Sequence, residues 1–440
     1  MKFWIVTYGC QMNVADSDLV SALLRRAGWR ESPSLEEADF VLLNTCSVRE
    51  KPEQKVYSRL GELRRWKDAH PDRIIAVAGC MAQREGQHLV ARAPHVDLVI
   101  GTRGFHRIGE LVERARAGDR PLLHLDLDAD PSSARCRESP SEAEAPLRAF
   151  IPIIRGCTNF CTYCIVPYVR GPEISRPPAD VHQEVLTLVR RGAREVTLLG
   201  QNVLSYGRDL DDSAAFPSLL RDLAQIPDLW RIRFTTCHPR DVTPAIIAAM
   251  ADLPAVCEHI HLPVQAGADR VLREMHRGYT TAHYRETVEG LRAQVPGIAI
   301  TTDIMVGFPG ETEDEFEESL RFYQQIGFDA AFTFAYSPRP GTAAAERTDQ
   351  IPRSTRLARL SKLIDIQNRI TLARNQAGVG EEAQVLVDGP ARRGDGLLSA
   401  RTRTNKQVIL PGPLDLLGSL ATVHLTQAHL WGFRGQLSPR

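Results

Sequence analysis

Over the first 118 residues, short apolar runs alternate with stretches of helical period. Phe3–Tyr8, Phe40–Asn44, Arg73–Ala78 and Val96–Ile100 each have the length of one strand, while Ala15–Ala27 and Glu53–Lys67 repeat their apolar residues as helices do. Strands spaced by helices predict βαβ units and a parallel αβ sheet. Residues 119–147 break the alternation with Asp, Ser, Pro, Ala and Glu, the composition of a solvated linker. A second αβ series occupies residues 148–350, with strands predicted at Phe150–Ile154, Glu195–Leu199, Arg231–Thr236, Glu258–Leu262, Ala299–Val306 and Ala330–Tyr336. Thr312 and Glu315 form a capping box ahead of a helix that buries Phe316, Leu320, Tyr323 and Ile326. Six βα units are too few for a closed eight-stranded barrel, so a partial (βα)6 barrel is expected, with its chemistry at the strand C-terminal ends. Residues 351–374 read as a connecting helix. Residues 375–440 switch to short strands (Ala383–Val387, Lys406–Leu410, Ala421–Leu425), with turns expected at Asp388-Gly389-Pro390 and Gly394-Asp395-Gly396. That is the pattern of a small all-β barrel. The fold class is α/β with this C-terminal addition.

Composition bounds the picture without changing it. A chain of 440 residues corresponds to about three domains. With 43% hydrophobic and 25% charged residues it is not a disordered polymer. Lysine and arginine together number 54, as do aspartate and glutamate, so no bulk charge drives adhesion to nucleic acid or membrane. No apolar run reaches membrane-spanning length, and Phe3–Tyr8 is too short for a signal-peptide core. A cytoplasmic protein with reduced thiols and no membrane partner is expected.

Nine cysteines, an odd number, do not form a disulfide framework. Cys157, Cys161 and Cys164 lie in one CxxxCxxC loop directly after the first strand of the second series. Three thiolates suit a 4Fe-4S cluster that ordinarily takes four, leaving one iron open for a non-protein ligand. A structural zinc would want four protein ligands, and no fourth Cys or His lies nearby. Cys10, Cys46 and Cys80 each sit just beyond a predicted strand, where open parallel sheets bind ligands. The alternative for these three is burial as small hydrophobes. Cys136, Cys237 and Cys257 read as structural or incidental. No residue pattern nominates a general acid or base.

The CxxxCxxC loop on the first strand of a partial barrel resembles the radical S-adenosylmethionine enzymes. The two three-cysteine sets together resemble the methylthiotransferases of that superfamily. The matching motifs run along nearly the whole chain. They include Thr7-Tyr8-Gly9-Cys10-Gln11-Met12-Asn13, Asn44-Thr45-Cys46-Ser47-Val48-Arg49-Glu50, Ala78-Gly79-Cys80-Met81-Ala82-Gln83-Arg84, Leu199-Gly200-Gln201-Asn202-Val203, His261-Leu262-Pro263-Val264-Gln265 and Val306-Gly307-Phe308-Pro309-Gly310-Glu311-Thr312. Tyr336-Ser337-Pro338-Arg339-Pro340-Gly341-Thr342 and Arg401-Thr402-Arg403-Thr404-Asn405-Lys406 complete them. Gln11-Met12-Asn13 matches the branch acting on dimethylallyl-adenosine in tRNA, as against the ribosomal-protein and threonylcarbamoyl-adenosine branches. A non-catalytic RNA-binding iron–sulfur protein is the alternative from another class.

The resemblance implies two 4Fe-4S clusters, one on Cys157, Cys161 and Cys164 and one on Cys10, Cys46 and Cys80. It also implies S-adenosylmethionine as methyl donor and radical source, and methylthiolation of carbon 2 of N6-dimethylallyladenosine beside the tRNA anticodon. An electron donor and a sulfur source are required as further partners. Tyr163 is placed against the adenine of S-adenosylmethionine or as packing beneath the loop, and Gln201 and Gln265 as cofactor contacts or supports. The C-terminal barrel resembles a TRAM domain, a small RNA-binding module. Arg392, Arg393, Arg401, Arg403 and Lys406, five bases against the single acid Asp395, are its candidate RNA contacts. Ala266 and Ala268 stand where the family usually has serine, and Ala335 where it has lysine, which would remove two hydroxyls and a cation from the pocket rim.

Overall fold

The computed structural model describes residues 1–47, 50–127, 145–210 and 215–438. Cys136, residues 128–144 of the expected linker, and Val48 and Arg49 of the second motif lie outside the described residues.

The first six strands are β1 (Lys2–Tyr8), β2 (Arg30–Glu31), β3 (Phe40–Thr45), β4 (Ile74–Gly79), β5 (Leu98–Ile100) and β6 (Leu122–His124). They form one parallel sheet in the order β2-β1-β3-β4-β5-β6. Phe40, Leu42, Ile74 and Ala76 pack into a core on one face, and Val41, Leu43, Ile75 and Val77 into a core on the other. Burial on both faces is why β3 and β4 read as unbroken apolar runs. β6 corrects the linker expectation. Leu122–His124 pairs with β5, so the sheet extends past residue 118. Three residues amid polar sequence give too short an apolar signal to mark a strand.

The second series supplies β7 (Arg148–Pro152), β8 (Ile154–Arg155), β9 (Ile174–Ser175), β10 (Glu195–Leu199), β11 (Arg231–Phe234), β12 (His259–His261), β13 (Ala299–Val306) and β14 (Ala330–Ala335). Parallel ladders join β7-β10-β11 and β12-β13-β14. The two halves meet where Ile232 N–H donates to Ala255 O at 2.7 Å and Cys257 N–H to Ile232 O at 3.0 Å. Among the described residues no ladder joins β7 to β14, which leaves the barrel partial. Along β13, Ile300, Ile304 and Val306 belong to the core, while Thr301, Asp303 and Met305 are half-buried and face the lumen.

The helix Arg353–Ala377 leads to β15 (Glu382–Pro390), β16 (Leu397–Thr402), β17 (Gln407–Pro411), β18 (Leu420–His429) and β19 (Gly432–Leu437). These close into a barrel in the order β15-β16-β17-β19-β18. No turn forms at Asp388-Gly389-Pro390. Strand β15 continues through it, with a bulge between Val387 and Gly389 absorbing the extra residue.

The small barrel docks where the large barrel's strands begin. Arg148, first in β7, bonds Asp388 (2.7 Å), and Arg231, first in β11, donates to the carbonyl of Arg401 (2.7 Å). Arg403 grips Glu258 just ahead of β12, and Lys406 reaches Asp329 just ahead of β14 (3.1 Å). The opposite, C-terminal rim is left to the cysteine loops.

Candidate functional site

Tyr8, Thr45 and Gly79 lie in register across the neighbouring strands β1, β3 and β4. Cys46 and Cys80 follow directly, and Cys10 comes one residue later. Close approach at this edge requires glycine. A Cβ on Gly9 would stand 3.0 Å from Cys46 Cβ, and one on Gly79 (φ +92°) 2.4 Å from Thr45 O. Buried Asn13 ties the loops together, accepting from Cys10 N–H (3.3 Å) and donating to Thr45 O (3.2 Å). A hydrogen bond with Cys46, aided by the positive charge of Arg170, holds the Cys10 thiol down at about 5. Burial pushes the Cys80 thiol up, and Arg170 pulls it back.

The second set is built on the loop after β8. Gly156 (φ +86°) has room for no side chain, because a Cβ would meet Pro172 O at 1.9 Å. Its N–H donates to the Gln201 side-chain carbonyl at 2.5 Å. Gln201 therefore holds the cysteine loop in place from the end of β10. Cys157 and Cys161 are buried and Cys164 half-buried. Burial pushes Cys157 up to about 11 and Cys164 up to about 12. Such thiols ionise when a metal supplies positive charge. Arg277, itself buried, donates to Cys161 Sγ at 3.4 Å. Tyr163 is partly buried and packs against the barrel core.

Among the described residues no three His, Cys, Asp or Glu side chains are grouped tightly enough for a single metal ion. A 4Fe-4S cluster gives each thiolate its own iron, so its ligands stand further apart than those of one ion. The donor chemistry fits such a group: each cysteine set has one buried arginine donating to a sulfur, and each set is one ligand short of four.

The two sets face each other across the domain interface. Cys80 packs on Ile165 and Val169, which follow Cys164. Met12 and Ala15 pack against Leu199 and Phe150, filling the β7–β10 side of the large barrel's rim. The β12–β14 side remains open. There Phe332 is 54% exposed, edge-on to His261 at 5.9 Å, and His261 Nε2 lies 3.5 Å from Asp303.

Gln265 has left-handed backbone (φ +68°), with its N–H on Asp303 O at 2.9 Å and its carbonyl accepting from Met305 N–H at 2.8 Å. Its side chain is buried beside the end of β12. Ala266 and Ala268 are core residues, not pocket rim, so the hydroxyls missing there are not missing from the site.

Of the candidate RNA contacts, Arg392 and Arg393 are exposed. Arg401, Arg403 and Lys406 are engaged in the small barrel's docking and its own turn, against their expected role. Charge counting missed this because a sequence does not show that Glu258 and Asp329 lie opposite. Sequence reasoning also missed His238, just beyond β11. Arg240 N–H donates to its Nδ1 (3.3 Å), so the proton sits on Nε2, buried with no protein partner among the described residues. Burial, then the charges of Arg277, Arg240 and Arg208, lowers its pKa to about 2. It is a neutral donor at the C-terminal rim, and a histidine beside a proline gives no motif by which to find it.

Comparison with known proteins divides the chain as the geometry does. Residues 2–101 match "Uncharacterized protein family UPF0004", residues 151–323 the Radical SAM superfamily and residues 376–437 the TRAM domain. A protein of Moorella thermoacetica named tRNA-2-methylthio-N(6)-dimethylallyladenosine synthase is 48% identical over 99% of this chain and 98% of its own. One of the same name from Carboxydothermus hydrogenoformans is 45% identical, covering 99% of each chain. Among solved structures, the radical S-adenosylmethionine methyltransferase TsrM of Kitasatospora setae shares the fold, with a TM-score of 0.59 at 14% identity over 95% of this chain and 81% of that one. No described helix is long and apolar enough to cross a membrane.

Proposed function

This chain belongs to the tRNA-2-methylthio-N(6)-dimethylallyladenosine synthase family, and from that premise we propose how its own residues serve the activity. It is a radical S-adenosylmethionine enzyme that methylthiolates dimethylallyladenosine in tRNA. Its relatives' names leave the ribosomal-protein and non-catalytic alternatives unsupported.

In our reading, Cys157, Cys161 and Cys164 hold the 4Fe-4S cluster of the superfamily, and Cys10, Cys46 and Cys80 hold a second. When bound, the barrel cluster and S-adenosylmethionine supply the radical chemistry that an unactivated C–H bond demands. The protein's part is to orient and to exclude water. Gln201 fixes the cysteine loop through Gly156. Gln265 and His238 place a side-chain amide and an uncommitted N–H at the strand-end rim where S-adenosylmethionine would lie. The open β12–β14 side receives an adenine extruded from its stack beside the anticodon, with Phe332 as its stacking surface. Arg392 and Arg393 contact the RNA backbone further away. The electron donor and sulfur source come from outside this chain, and a thiol-reducing cytoplasm suits both clusters.

The observation that carries this reading is the packing of Cys80 on Ile165 and Val169, which brings the two cysteine sets to one interface. Anaerobic reconstitution, followed by nucleoside mass analysis of dimethylallyl-modified tRNA, tests it. The intact chain should yield the methylthio nucleoside, and Cys10→Ala and Cys157→Ala should not. Undiminished product from either variant would refute the assignment of two clusters.

A further inference from the structure

Arg170 crosses from one half of the molecule to the other. It ends the short helix Val166–Arg170 that follows the CxxxCxxC loop, yet its side chain lies in the cysteine edge of the first domain. Its Nε donates to Cys80 Sγ at 3.3 Å and its Nη2 to Asp16 Oδ2 at 3.0 Å. Arg155, two residues before Cys157, takes the other Asp16 oxygen. Thr102 and Arg103 of the first domain pin the helix by donating to the carbonyls of Val169 (2.6 Å) and Arg170 (3.2 Å).

The charges here do not balance without the sulfurs. Arg170 is 5% exposed and Asp16 0%. A guanidinium cannot shed its proton, so two arginines share one carboxylate and leave a buried positive charge uncompensated. Beyond Asp16, the guanidinium meets Cys80 Sγ, so its charge is directed at the edge that carries the cysteines. Arg277 (5% exposed) bonds Cys161 in the barrel set, but its other acceptors are the neutral Pro263 O and Tyr279 Oη. That arginine serves its own domain, whereas Arg170 comes from the facing one.

We propose that Arg170, anchored by Asp16, is a positioning residue for the N-terminal cluster, fixing Cys80 as a ligand and raising that cluster's reduction potential. The inference rests on the reading that Cys10, Cys46 and Cys80 hold a 4Fe-4S group. Hydrogen bonds to sulfur and local charge set such potentials. Docking of the radical half therefore completes the electrostatic surroundings of the other half's cluster.

The test uses the full chain carrying Cys157→Ala, Cys161→Ala and Cys164→Ala, reconstituted anaerobically so that the N-terminal set alone binds iron. Failure of this parent to bind a cluster would sink the two-cluster reading itself. With the cluster bound, redox titration followed by electron paramagnetic resonance compares it with added Arg170→Gln or Arg170→Lys. Arg170→Gln should lower the reduced-to-oxidised ratio at fixed potential at least tenfold, about 59 mV for one electron. Arg170→Lys, which retains the charge without the planar fork, should move the same way by a smaller factor. Loss of iron from Arg170→Gln in a chain with unchanged circular dichroism would also support the proposal. Iron retained with the parent's potential in both variants would overturn it. In the complementary chain lacking Cys10, Cys46 and Cys80, Arg170→Gln should leave the barrel cluster's potential unmoved, and an equal shift there would count against a local role.

Discussion

Arg403 grips Glu258 along both carboxylate oxygens, Nε to Oε2 and Nη2 to Oε1 each at 2.7 Å, while the same Nη2 donates to Val256 O at 2.7 Å. The small barrel is thus fastened to the start of β12 by a residue whose type and neighbourhood suggested RNA. Hydrogen bonds to charged groups contribute roughly 1.5–3 kcal/mol each. Arg403→Ala is expected to weaken docking by an amount in that range. Thermal unfolding should show the small barrel melting earlier, with the salt dependence of tRNA binding unchanged.

Arg392 and Arg393 should behave the opposite way. Both are exposed at the β15–β16 turn. Replacing both with alanine should reduce the slope of log affinity for tRNA against log salt by about 1.4–1.8, the release expected for two phosphate contacts. Their melting temperature should match that of the intact chain.

This division shows what was legible in the sequence. The double burial of β3 and β4 makes them continuous apolar runs, and their register delivers Cys46 and Cys80 to one edge, so their convergence could be read from strand ends while their role as ligands came only from the family resemblance. The CxxxCxxC loop is local and needed no fold to be recognised. Relations across domains were not legible. Nothing in the stretch from Arg392 to Lys406 indicates that Glu258 and Asp329 stand opposite two of its bases. Arg170 looks like the end of a short helix until Asp16 and Cys80 are found beside it. β6 was hidden because two leucines and a histidine in a polar stretch carry too little periodicity to be noticed.

Phe332 is the exposed aromatic on the open side of the large barrel. Stacking of a base on an aromatic ring is worth about 1–3 kcal/mol by alanine substitution. Phe332→Ala should therefore raise the KM for tRNA several-fold or more, while S-adenosylmethionine binding stays as it was. Steady-state kinetics with each substrate varied in turn separates these outcomes.

Acid stability has a defined source at Glu315. The Arg270 hydrogen bond, helped by the Thr312 cap, lowers its pKa from the ordinary 4.5 to about 2. A carboxylate depressed on folding stabilises the native chain fully above its unfolded pKa and loses that contribution as pH falls through the folded value. The metal-free chain should lose this part of its stability between pH 4.5 and about 2. In Glu315→Gln, denaturant midpoints should fall less steeply across that window, although the variant starts less stable at neutral pH.

We propose that the two cysteine sets serve one reaction with separate duties. This is tested most directly by measuring 5′-deoxyadenosine and methylthio nucleoside in the same anaerobic reaction of Cys46→Ala with dimethylallyl-modified tRNA. Cys46 directly follows β3 in the first domain and is not part of the CxxxCxxC loop. In this variant 5′-deoxyadenosine should still form while the methylthio nucleoside does not. Methylthio product at the intact chain's level would contradict it.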